Sequence, residues 1–150
     1  MEQKNIQIGG IYILRFGCAA LEVRPDDWYF NNEWSPGLLD TVSYAETHNV
    51  PYGTPIAPEH QAEATRIRLL QVERMNFRKK HGRSIPQDTV LLLVSKGVVP
   101  ANSKAGRPRT ALFQFLVAER PAWFFFTERG CIHSFMETFK FVKASKRKKP

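Results

Sequence analysis

The chain has 150 residues, 43% of them apolar and 24% charged, with a formal net charge of +8. That composition excludes global disorder and fits one folded domain with a core of its own. The longest aliphatic run, Val90 to Val94, is far too short to span a bilayer. Met1 to Asn5 lack the apolar stretch of a secretory signal. Two cysteines, Cys18 and Cys131, exclude a disulfide framework and point to a reducing intracellular compartment, the cytoplasm, with no membrane partner.

The charge is unevenly placed. Residues 1–57 carry Lys4, Arg15 and Arg24 against Glu2, Glu22, Asp26, Asp27, Glu33, Asp40 and Glu46, a net of −4, whereas residues 58–150 stand at +12. Three segments hold most of the excess. In the first, Arg66, Arg68, Arg74, Arg78, Lys79, Lys80 and Arg83 are set against Glu73 alone. The second, with Lys96, Lys104, Arg107 and Arg109, contains no acid, nor does the third, with Lys140, Lys143, Lys146, Arg147, Lys148 and Lys149. Such clusters attract polyanions, because neutralising phosphates releases their condensed counterions. None forms a clean amphipathic helix, which weakens an anionic membrane surface as the target. The three are expected to share one side of the fold, away from the acidic first third.

In chain order, Gln7 to Phe16 reads as an extended segment in which Gly9-Gly10 allow a bend or bulge. Ala19 to Arg24 is expected to pair back on it across Gly17-Cys18. Asp26 to Ala57 is irregular yet rich in aromatics, and reads as a long ordered excursion with a short helix near Leu38 to Thr47. Pro58 opens the principal helix, which no proline or glycine interrupts from Glu59 to His81 and which Gly82 follows. Its apolar residues, Ile67, Leu69, Leu70, Val72, Met75 and Phe77, scatter around the cylinder, so a strand after Thr65 is the rival reading. Thr89 to Ser95 reads as a buried strand and Val98 to Arg109 as a loop. Thr110 to Glu119 and Ala122 to Thr127 read as strands joined at Arg120-Pro121. Glu128-Arg129-Gly130 supplies another turn before Cys131 to Val142, where both a helical turn and an alternating strand fit. Residues 1–143 are expected to form one globular domain, and 144–150 a flexible basic tail.

Each motif has a bland reading beside a sharper one. Gly10-Ile11-Tyr12 resembles the first half of the GIY-YIG nuclease signature, but Val23-Arg24-Pro25 stands where its second triplet belongs, so a strand after a glycine bend is preferred. Lys104-Ala105-Gly106-Arg107-Pro108-Arg109 resembles an AT-hook core, whose arginines enter the minor groove of A·T-rich DNA. Ala105 replaces one arginine of that clamp, which shifts the expectation to simple phosphate contact. Glu22, Asp26 and Asp27 offer carboxylates for Mg²⁺, as in phosphoryl-transfer sites, or ordinary turn chemistry. Cys131 and His133, with His48, His60 and His81, lack zinc-ligand spacing, and no phosphate loop or nucleophile elbow is present. No metal or cofactor is expected. The aromatics Trp28, Tyr29, Phe30 and Trp34 either plug their loop onto the sheet or present a protein interface.

The reading that results is an α+β domain: a mainly antiparallel sheet able to curl toward a barrel, one principal helix and a basic C-terminal tail. Its expected function is non-enzymatic binding of DNA or RNA, as an accessory subunit of a nucleoprotein complex. Phosphates would be contacted by Arg74, Arg78, Lys79, Lys80, Arg83, Lys104, Arg107, Arg109, Lys140, Lys143, Lys146, Arg147, Lys148 and Lys149. A protein partner would meet Trp28, Tyr29, Phe30 and Trp34. The alternatives are a metal-dependent nuclease or related phosphoryl-transfer enzyme using Glu22, Asp26 and Asp27, and a pure protein-interaction module. In a eukaryotic host, Lys146 to Lys149 would also read as a nuclear address.

Overall fold

Alternation in the last third of the chain builds the sheet. In strand β5 (Thr110–Val117), Ala111, Phe113, Phe115 and Val117 are buried on one face, and in β6 (Arg120–Thr127) Ala122 and Phe124 join them. The computed structural model describes residues 6–31, 41–104 and 107–144. Among these, five further strands complete one antiparallel sheet: β1 (Gly10–Leu14), β2 (Cys18–Leu21), β3 (Gly82–Ile85), β4 (Val90–Val99) and β7 (Phe139–Ala144). The strand order is β3-β2-β6-β5-β4-β1-β7, curled into a half-barrel. The helices are α1 (Thr41–His48), α2 (Pro58–His81) and α3 (Cys131–Thr138). This is the α+β architecture with one principal helix that the sequence implies. Among the described residues no helix is long and apolar enough to cross a membrane.

The inner face of the sheet holds the main core. Tyr12, Leu14, Leu91, Leu93, Phe115 and Phe139 are buried there, and α3 covers them with Phe135. Ring centroids of Phe135 lie 5.3 Å from Tyr12, 4.9 Å from Phe113 and 4.7 Å from Phe139. Burying so many rings at edge-to-face spacing is the largest apolar contribution in the molecule. The Tyr12 hydroxyl is satisfied by the Gln7 amide at 3.0 Å. Gly130, at φ +76°, starts α3 in the left-handed region that glycine occupies without strain.

The outer face is covered in part by the aromatic excursion. A single 3-10 turn, Asp27–Phe30, sets Tyr29 and Phe30 against Phe125 of β6, with ring centroids 5.7 Å and 4.9 Å away. Phe77, near the end of α2, closes on Trp28 at 5.8 Å and Tyr29 at 5.5 Å. The other half of α2 packs elsewhere. Ala64 and Ile67 join Tyr44 of α1 and Ile56 in a separate small core. Helix α2 thus serves two cores, while Leu69, Val72 and Met75 at spacing i, i+3, i+6 stay exposed on its far side. Two apolar stripes on one cylinder are why the periodicity in sequence scatters, and the strand reading after Thr65 gives way to helix.

Two other expectations are corrected. Strand β2 does not pair back on β1; it lies between β3 and β6, while β1 lies between β4 and β7. The β5–β6 connection is a two-residue turn at Ala118-Glu119, not Arg120-Pro121. Val117 pairs with Arg120, and Ala118 and Glu119 have φ of 50° and 67°. Strand β4 also runs on through Val99, so the loop that follows is shorter than its prolines and glycines imply.

Candidate nucleic-acid interface

The widest break in the sheet lies between β2 and β6. The two strands form one register pair, Leu21 with Trp123, although β6 pairs with β5 along its whole length. Beyond that pair they part, and an open cleft of about 460 Å³ occupies the gap. Its floor is small: Ala19 and Ala20 from β2, Gly82 and Ser84 from β3. Its walls are aromatic and basic, formed by Tyr29, Trp123, Phe125, Arg78 and Arg83. Gly82 is required here, since a side chain would collide with the Arg78 carbonyl where α2 hands over to β3.

Arg78 is held in place. Its Nε donates to the Tyr29 hydroxyl at 2.6 Å, and its guanidinium lies 5.6 Å from the centre of the Tyr29 ring. A side chain fixed through Nε keeps its terminal nitrogens for a bidentate acceptor such as phosphate. One turn earlier on the same helix face, Nε and Nη2 of Arg74 are buried with no hydrogen-bond partner among the described residues. Burial pushes that guanidinium below its usual range. An unpaired buried cation is costly. Across the cleft, Arg83 Nη1 reaches Glu22 Oε2 at 3.3 Å, and Arg120 binds the same oxygen. Glu22 therefore faces Arg83 and Arg120, while Arg74 and Arg78 have no acidic partner among the described residues. Arg24 adds a cation 5.9 Å from the centre of the Trp123 ring.

The remaining basic residues are dispersed. Lys79 and Lys80 are exposed at the end of α2, beside the cleft. Lys140 and Lys143 are exposed on β7, at the opposite edge of the sheet from Arg83 on β3, with five strands between. Arg83 and the two β7 lysines thus sit on the two edge strands of the sheet. Lys104 is exposed in the β4–β5 loop, and Arg109 pairs with Glu128 at 2.5 Å. Arg107 is folded back into the protein. Its Nε donates to the Pro100 carbonyl at 2.8 Å and its Nη1 to Asn31 Oδ1 at 3.2 Å, leaving the side chain 10% exposed. Arg107 is thus engaged within the protein, and little of its guanidinium faces outward.

Tyr29 and Phe30 are buried and Trp28 is half-buried against Phe77, so these rings pack largely on the chain's own outer face. Trp34, Lys146, Arg147, Lys148 and Lys149 lie outside the described residues. Glu22, Asp26 and Asp27 are not brought together: Glu22 turns to two arginines and Asp27 approaches Arg107 at 3.7 Å. Among the described residues no three His, Cys, Asp or Glu side chains are grouped to hold a metal ion. The residues that sequence reasoning missed are Trp123, Arg120 and the small floor of β2. A sheet opening leaves no local signal, because it depends on where two strands distant in sequence stop pairing. Comparison with known proteins returns no matching family model, no matching curated protein and no matching solved structure.

Proposed function

We propose that the protein binds nucleic acid without acting on it chemically, taking up phosphates with the arginines of α2 and β3 around the β2–β6 cleft. The observation that carries this reading is Arg78, pinned by Tyr29 through Nε at a cleft edge, with no acidic partner among the described residues. Lys79 and Lys80 extend the positive surface beside it. Phosphate contacts position a protein on nucleic acid and supply affinity that is largely independent of sequence. Fluorescence anisotropy of labelled DNA and RNA oligonucleotides at low ionic strength tests it. Binding by the wild type, weakened uniformly across sequences in Arg78→Ala/Lys79→Ala/Lys80→Ala, is expected. Equal binding by that variant contradicts it.

A role in docking another protein has one observation in its favour. Leu69, Val72 and Met75 lie along one exposed side of α2, at 59%, 50% and 61% exposure. An accessory subunit that holds nucleic acid at the end of α2 has room there for a protein partner, in place of the aromatic segment.

A further inference from the structure

We infer that the β2–β6 cleft receives an unstacked nucleobase, so that the protein prefers single-stranded to duplex nucleic acid. This rests on the nucleic-acid reading and goes beyond phosphate contact. Phosphate contact alone needs cations but no aromatic recess. Here the cations border a recess of about 460 Å³, within the size range of small-ligand sites. Its wall includes Trp123 and Phe125, both half-buried, while Ala19 and Ser84, paired across β2 and β3, keep the floor low. An aromatic wall beside a fixed guanidinium matches a flat ring that carries a phosphate, which is the chemistry of a nucleotide. Bases within a duplex are stacked and paired, so a ring can enter only from a single strand or from a flipped nucleotide.

The test compares a labelled 20-nucleotide single strand with its duplex, by anisotropy and by tryptophan emission. Ala19 is exposed, so Ala19→Phe fills the recess without removing a core side chain. Trp123→Phe retains an aromatic wall but removes the cleft's own tryptophan, leaving the emission of Trp28 and Trp34, and circular dichroism checks the fold of both. Stacking one base is worth a factor of about ten or more in affinity. Single-strand binding is expected to exceed duplex binding by about that factor, to lose it in Ala19→Phe, and to quench emission in the wild type but less in Trp123→Phe. Equal affinity for both forms, unaltered by Ala19→Phe, overturns the cleft assignment and leaves phosphate binding intact. Absence of binding to either form at low salt overturns both.

Discussion

Two acceptors converge on Arg107, the Pro100 carbonyl and Asn31 Oδ1, with the Asp27 carboxylate 3.7 Å away. Asp27 is largely exposed and adds little. The bond to Asn31 ties the β4–β5 loop to the aromatic excursion and the bond to Pro100 closes that loop on itself, so Arg107→Ala is expected to destabilise the fold by about 1–3 kcal/mol in urea unfolding. The salt dependence of nucleic-acid binding should not change in that variant. Titration belongs to this scale too. Burial holds the Cys18 and Cys131 thiols and the Tyr12 phenol above their ordinary values, so the folded chain keeps protons that the unfolded chain releases. That contribution is complete below the ordinary thiol range, about 8.5, and is lost as pH rises through the folded values. Urea midpoints are expected to fall from about pH 9 upward, and Cys131→Ala should make the fall shallower.

Among the elements, α3 is short but central. Phe135 is fully buried among Tyr12, Phe113, Phe115 and Phe139, so Phe135→Ala is expected to cost about 3–5 kcal/mol, read from chemical denaturation. The sequence showed this region to be a phenylalanine-rich anchor, because strand alternation is a local property. It showed α2 through Pro58, Gly82 and the lack of breakers between them, although one helix serving two cores blurred its period. It did not show the Ala118-Glu119 turn. Neither residue advertises a positive φ as glycine or asparagine would, whereas Pro121 did advertise a turn and sits instead inside β6. Nor did it show that β2 leaves β1, since the partner is decided by the sheet as a whole. Arg107 was read by composition alone, and hydrogen bonds to Asn31 and Pro100 are invisible at that level.

Across the whole molecule the positive charge is divided. One share surrounds the β2–β6 cleft, and another lies on β7 at the far edge. Deleting residues 145–150 removes Lys146, Arg147, Lys148 and Lys149. If all four contact phosphate, the slope of log affinity against log salt should become shallower by roughly three units, with the urea midpoint unchanged. The most direct measurement is the salt titration of wild type and Arg78→Ala on one labelled single strand. Affinity should fall steeply with salt, by about 0.7 in slope for each phosphate held, and the slope should be shallower by about that amount when Arg78 is removed. An isotherm indifferent to salt, or identical slopes in the two proteins, would contradict it.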